Sequence, residues 1–435
     1  MAHKNLLCLH GNNYAEYENN IYKKHEEQAE KEIITNLNNH LSNPAFLLLI
    51  KKIAGLLAYK FHNYRIIIIQ LRSGRKWKVK SPVFIKAYSK RKKNKLHRRR
   101  KKVTKHLGLE LLGILNQTSP GLINICVTMA ALCPSFEVAS NALKSFGVSM
   151  NHTFLQSLVY RFAKLGLNIR VECHSEEIWK KPGLRILICV DGGRYRERRK
   201  KDGPLKKGQS RQGYHSDWVE PKQLTISLFN EKGKKVASVS PIIDGTAAVP
   251  LDVFFDLLKE HLLNINLIDA QEIIFCADGG KGLWPRIDSL IQELQLDNAK
   301  RILDYTHAKQ NMNIVINNIS NALKMSNNKK NDLYNQIKEL LWKGNINDII
   351  DLVGKKLAKR TKAYKACMNK LNNYFSDHYK FQYKHFKDNG LPIGSGTVES
   401  AIRRIINLRI KGPGIFWIRD NAEKMIFLRS LVLTG

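Results

Sequence analysis

A chain of 435 residues with 43% apolar content has enough material for roughly two to four domains with buried cores, which excludes a disordered tail. Lysine and arginine number 73 against 37 acids, a formal charge of +36; such a chain repels itself unless a polyanion is its normal company, and nucleic acid is the expected one. The apolar runs 46–50 and 53–58 are split by Lys51 and Lys52 and fall short of the ~20 residues that cross a bilayer, so no membrane partner is expected.

Residues 1–14 lack the basic start and apolar stretch of a signal peptide, which points to the cytoplasm and, with the charge, to the nucleoid. The seven cysteines (Cys8, Cys126, Cys133, Cys173, Cys189, Cys276, Cys367) form no CxxC pair and read as reduced; Cys8 with His3 and His10 reads as a chance cluster, not a zinc site. Residues 1–60 read as helix and then apolar chain. Two strand-like runs follow, 65–71 and 75–80, joined through Ser73 and Gly74 as a hairpin. Residues 90–105 carry eleven Lys or Arg and no acid, a basic arm suited to phosphates. Beyond residue 106 the period becomes helical. Phe136, Val138, Ala139, Ala142 and Leu143 mark one helix, Phe146-Gly147-Val148-Ser149 a turn, and Phe154, Leu155, Leu158, Val159 and Phe162 a second helix. The spacing fits a helix-turn-helix that offers Asn151, His152, Gln156 and Arg161 to a DNA groove, or an ordinary helical hairpin.

Near residue 185 the period changes again. The run 184–190 is almost continuously apolar and ends in Asp191-Gly192-Gly193, the pattern of a buried strand that delivers an acid at its end. Strands are expected at 224–229 and 236–243 with a turn at 230–233, then a helix over 249–263. The run 272–277 ends in Asp278-Gly279-Gly280, repeating the theme, and 301–305 is a further short strand. Residues 311–390 read as a helical insertion. After it, Gly394-Ser395-Gly396-Thr397 is a turn, with Ser395 or Thr397 as cap, that launches a helix with Val398, Ile402, Ile405 and Ile406 on its buried face. Glu399 stands at the head of this helix, followed by Arg403, Arg404, Arg409 and Lys411.

Parallel strands present their carboxyl ends side by side, where α/β sheets build their sites. Asp191 and Asp278, joined by Glu399, then form a set of hard oxygen ligands suited to Mg²⁺ or Mn²⁺. Two such ions about 4 Å apart activate a water or 3′-hydroxyl and stabilise a leaving oxygen at phosphorus. The paired glycines are expected to let a sugar-phosphate backbone approach the metals. Around this centre the run 194–211 holds nine basic residues, Arg194, Arg196 and Arg198 among them, and reads as a phosphate-gripping loop. Lys281 is expected to touch a strand end, and Trp284 to stack there or join the core. His307 reads as a proton-transfer or phosphate group, or as a capping or core histidine. Glu220 reads as a strand-edge charge in preference to a fourth metal-proximal acid, Asp304 as a reserve third ligand, and Phe416 and Trp417 as packing residues in preference to base-stacking ones.

The order strand, strand hairpin, helix, strand, strand, insertion, helix, with these acids, resembles the RNase H-like catalytic domain of DDE transposases encoded by bacterial insertion sequences. The matching stretches are Val190-Asp191-Gly192-Gly193-Arg194-Tyr195-Arg196, Trp218-Val219-Glu220-Pro221-Lys222, Ala277-Asp278-Gly279-Gly280, Leu303-Asp304-Tyr305-Thr306-His307, the Gly394 to Ser400 turn with its Arg-rich helix, and Gly412-Pro413-Gly414-Ile415-Phe416-Trp417. The resemblance implies an α/β, RNase H-like mixed sheet with flanking helices over 181–310 and 391–435, interrupted by the insertion 311–390. Before it stand an N-terminal helical segment, hairpin and basic arm (1–105) and a helical region with the candidate helix-turn-helix (106–180). It implies Asp191, Asp278 and Glu399 as the metal-binding triad, two Mg²⁺ or Mn²⁺ ions, cleavage and strand transfer at element ends, and a homo-oligomer on DNA. The N-terminal region departs from some relatives in lacking cysteine-rich zinc ligands. An RNase H-like nuclease or resolvase and a non-catalytic DNA-binding protein are the alternatives.

Overall fold

The computed structural model describes residues 13–86, 103–174, 185–205, 208–210, 212–247, 250–265, 267, 270–280 and 282–434. His3, Cys8, His10, Lys281, Arg211 and the basic arm from 90 to 102 lie outside them. The chain divides into two units, Met1–Phe162 and Ala163–Gly435.

In the first unit, α1 (Asn13–Ser42) is followed by α2 (Pro44–Leu56). Asn43 starts α2 by accepting the amides of Ala45 and Phe46 on its side-chain oxygen, with Pro44 where a missing N–H costs nothing. The expected hairpin forms and is longer than its signal: β1 (Tyr59–Gln70) pairs antiparallel with β2 (Lys76–Lys86) from Gln70↔Lys76 out to Tyr59↔Lys86. Aromatic and β-branched pairs such as Phe61↔Phe84 carry the ladder past the polar residues that hid it. The short β3 (Thr104–Lys105) joins its edge. Ile34, Leu41, Ile69, Leu71, Val79, Leu109 and Ile114 form a core between α1 and the sheet. After α3 (Leu107–Leu111) and α4 (Pro120–Leu132) come α5 (Phe136–Ser145) and α6 (His152–Gly166), the two helices of the expected helix-turn-helix. Arg161 differs from expectation. Its guanidinium is held by Asn116 and, at 3.0 Å, by Glu110, so it is committed within the unit.

The second unit is built on a five-stranded sheet. Its strands are β4 (Arg185–Gly192), β7 (Lys222–Phe229), β8 (Ile242–Thr246), β9 (Glu272–Ala277) and β10 (Ala299–Leu303), with a separate two-stranded ribbon of β5 (Tyr195–Lys200) and β6 (Tyr214–Val219) between β4 and β7 in sequence. The order is β10-β9-β4-β7-β8, with β9 and β10 parallel to β4 and β7 antiparallel to it. This is an RNase H-like sheet. Ile186 to Val190 and Ile273 to Ala277 are buried without alternation, as strands covered on both faces must be. Strand β8 begins later than its apolar run suggests, just after Pro241, which has no N–H to donate; before it stand an isolated bridge, Phe229↔Lys235, and the bond from the Val236 amide to the Leu228 carbonyl. Helices α7 (Leu251–Leu263) and α8 (Leu283–Glu293) alternate with the strands.

From α9 (Tyr305–Ala322) the chain runs through α10 (Asn327–Lys343), α11 (Ile346–Lys356), α12 (Lys362–Tyr374) and α13 (Tyr383–Asp388). It then returns as α14 (Gly396–Ile402), which packs on β4 and β7, and ends in α15 (Arg419–Thr434) beside β8. Val398, Ile402, Ile405 and Ile406 are buried as expected, but the helix does not run straight on to Lys411: Arg403–Asn407 is a π-helical turn. Among the described residues no helix is long and apolar enough to cross a membrane, and the described cysteines are free thiols.

Candidate active site

Two parallel strands bring the first two acids together. Val190 pairs with Ala277 across β4 and β9, so Asp191 and Asp278, the residues that follow each, leave two neighbouring parallel strands at the same end of the sheet. Each aspartate bends one oxygen back to the amide of the glycine that follows it, Gly192 at 2.7 Å and Gly279 at 2.6 Å. Burial raises the Asp191 carboxyl above its ordinary value and the neighbouring Asp278 charge adds to this, against the Gly192 amide and His307. Two carboxylates so placed favour any positive charge between them.

The third element is the start of α9. Asp304 is fully buried and caps that helix, one oxygen accepting from the His307 amide at 2.7 Å. Its other oxygen accepts from the Ser395 amide. One side chain therefore fixes both the helix that carries His307 and the turn that launches Glu399. Neither expected hydroxyl cap forms: Ser395 makes no side-chain cap, and Thr397 instead bonds Thr225 of β7 at 2.9 Å. The His307 ring then lies between the acids, Nδ1 at 4.0 Å from Asp278 and Nε2 at 3.8 Å from Glu399.

This donor set fits a divalent cation. Asp304, His307 and Glu399 each offer a ligand atom within 4.8 Å of one another, and the buried His307 Nε2 has no hydrogen-bond partner among the described residues. Asp278 keeps one oxygen on the His307 side. Asp304 enters this compact group, yet both its oxygens already accept amides, so its first task is to position the others.

Tyr374, at the end of α12, had no signal in the sequence. Its hydroxyl donates to the same Asp278 oxygen that accepts from Gly279. Burial, then the bond to Asp278, pushes the phenol far up, so it stays a donor. Nothing in the Asn- and Lys-rich insertion distinguishes this tyrosine until the chain folds 96 residues back on itself.

The glycines differ from expectation. A side chain at Gly192 would collide with Glu220, at Gly193 it would reach Ile406 Cδ1 at 2.7 Å, and at Gly279 it would strike Tyr374, whereas Gly280 faces open space. Gly193 and Gly279 thus face packed neighbours, Ile406 and Tyr374, while the neighbour of Gly192 is the movable end of the exposed Glu220 side chain. Glu220 pairs with Lys222 at 2.5 Å, a strand-edge charge, and Trp284 is core, its ring 4.3 Å from the Lys380 ammonium.

Among the expected DNA contacts, Arg194, Arg198, Arg403 and Lys411 are exposed, and Arg196 and Arg404 half-buried. Arg409 is corrected: it is buried, its guanidinium 5.2 Å from the Trp417 ring centre, a cation held by a π face in place of solvent. The run 194–211 is also corrected from a loop, since 195–200 is strand β5.

No family model and no curated protein matches the chain. Among solved structures it is similar to a Drosophila P element transposase strand transfer complex, with 11% identity and a TM-score of 0.32 over 72% of this chain and 91% of that one.

Proposed function

We propose that the protein is a DNA transposase of the DDE type, which cuts DNA at the ends of an insertion sequence and joins the freed 3′ end to a target. The observation that supports this reading is the His307 ring between Asp278 and Glu399, with Asp191 ending the strand that runs parallel beside that of Asp278, in a chain of charge +36. Asp191, Asp278 and Glu399 would hold Mg²⁺ or Mn²⁺, two ions in all, which would supply Lewis-acid activation for displacement at phosphorus. Tyr374 and the Gly279 amide hold one Asp278 oxygen, so the other faces the site. Asp304 holds the Ser395 turn and with it the Glu399 helix. His307 offers at Nε2 a place for a proton between the acids. Arg194, Arg198, Arg403 and Lys411, all exposed, supply phosphate contacts that position DNA, and two element ends held together call for a homo-oligomer.

The test is Mg²⁺- or Mn²⁺-dependent cleavage and joining of labelled DNA carrying the element's own end, by wild type and by D191N, D278N and E399Q. Wild type is expected to cut and join, and each variant to bind DNA and do neither. Cutting without joining replaces the transposase by an RNase H-like nuclease. Identical behaviour of all four proteins removes the catalytic reading.

A further inference from the structure

The ribbon of β5 and β6 has two unlike faces. In its register Arg196 pairs with Trp218, Arg198 with Ser216 and Lys200 with Tyr214, while Tyr195 pairs with Val219, Glu197 with Asp217 and Arg199 with His215. Alternate residues of a strand point to opposite faces. One face therefore carries three cations, two aromatic rings and no acid. Both acids lie on the other face and each has its own arginine: Glu197 is gripped by Arg419 at 2.8 and 2.9 Å, and Asp217 by Arg199. That second face also sends Tyr195 and Glu197 into the protein, which fixes the ribbon and turns the basic, aromatic face outward.

On this outward face the flat groups interleave. The Arg196 guanidinium lies 4.9 Å from the Trp218 ring centre and 5.6 Å from that of Phe416, Arg198 lies 4.3 Å from Tyr214, and Tyr214 and Phe416 are 5.6 Å apart. Trp218 is 53% exposed and Tyr214 39%. Phe416 is held in place because its neighbour Trp417 bonds along β5, accepting from the Arg198 amide at 2.7 Å and donating to the Arg196 carbonyl at 3.0 Å. The ribbon springs from the catalytic strand itself, with only Gly192, Gly193 and Arg194 between Asp191 and Tyr195.

We propose that this face is a stacking platform for unpaired DNA bases, which holds a single-stranded stretch of the substrate beside the acids. The proposal rests on the DNA-processing reading above and deepens it. Cations without a neighbouring acid match a phosphate backbone, and exposed rings interleaved with guanidinium planes match the π-faces of bases, in a manner that tolerates any sequence. Duplex DNA hides those faces within its own stack, so the rings gain a partner only from unpaired nucleotides. An acidic peptide would satisfy the cations but leave the rings without a partner.

The experiment is metal-free equilibrium binding by the full chain of a labelled oligodeoxythymidylate, a duplex of equal length and polyglutamate, across a salt series. W218A and Y214A are each expected to weaken single-strand binding by about tenfold, to leave duplex binding within about twofold, and to leave the salt slope unchanged. W218F is expected to restore most of the loss. R198Q is expected to lower the single-strand salt slope by about 0.7, one phosphate contact. Equal losses on single strand and duplex, no loss with W218A or Y214A, or a matching loss on polyglutamate each overturn the platform. No cleavage is read, so an inactive set of acids leaves this result standing, and a failed platform leaves the acids untouched.

Discussion

Tyr374 decides which oxygen of Asp278 is available, because its hydroxyl and the Gly279 amide both bond to Oδ1 and leave Oδ2 on the His307 side. Partners behind a metal ligand orient it, and their loss costs about 10–100-fold in metal affinity. Y374F keeps the ring and removes only the donor. It is expected to weaken Mn²⁺ binding, measured by calorimetry, by about tenfold, with a loss of stability of about 1 kcal/mol. Unchanged Mn²⁺ affinity would show that the hydroxyl only fills space. Asp304 acts one step further back. D304N turns one of two amide-accepting oxygens into a donor facing an N–H, within a fully buried side chain. A buried group left in that state costs about 1–3 kcal/mol, and the Glu399 turn loses its anchor. The expected outcome is a lower urea midpoint together with weaker Mn²⁺ binding, whereas a purely structural Asp304 would move the midpoint alone.

At the scale of elements, β4 and β9 were legible because each is a run of apolar residues that stops at an acid, and with them the parallel neighbours that end in Asp191 and Asp278; the full strand order was not. The β5–β6 ribbon was not legible. Its two faces are both largely polar, so the alternation that marks a strand is carried only by Tyr195 and Val219, and the charge of the run masked them. The π-helical turn after α14 was equally hidden, since Ile402 and Ile406 suit an ordinary helix. The widening is fixed from far along the chain: Arg429 of α15 donates to the Ile405 carbonyl at 2.9 Å and to the Arg404 carbonyl, groups that a π turn leaves short of partners. R429M keeps bulk and removes both donors. With each buried carbonyl costing about 1–3 kcal/mol when unsatisfied, it is expected to destabilise the protein by about 2 kcal/mol or more in urea unfolding. A change near zero would mean that the turn holds itself.

Across the whole molecule, a charge of +36 and the local acids act on different ranges. Phosphate contacts release counterions, so DNA affinity is expected to fall by about 10³–10⁵ between roughly 50 and 200 mM salt if some six to ten contacts form, as a filter-binding salt series would measure. Stability is held by a network that salt reaches poorly. Asp244 of β8 is fully buried and accepts from Arg170 at 2.6 Å and lies 3.0 Å from His261 of α7, while Arg170 also meets Glu423 of α15 at 2.7 Å. Burial by itself would raise the Asp244 carboxyl, but the Arg170 charge and the bonds from His261 and Arg170 outweigh it and hold the group below the usual carboxylate range. A carboxyl depressed in the folded state stabilises that state at every pH above its unfolded value, and the contribution is lost only as pH falls through the lower, folded value. D244N leaves the Arg170 charge buried with Glu423 alone, a loss of about 3–5 kcal/mol. Urea unfolding of wild type and D244N is therefore expected to show the same gap at pH 7 and pH 5, and the gap is expected to close only in acid below the range where free carboxylates titrate. A gap that narrows already between pH 7 and 5 would show that the Asp244 carboxyl is not held below the usual carboxylate range.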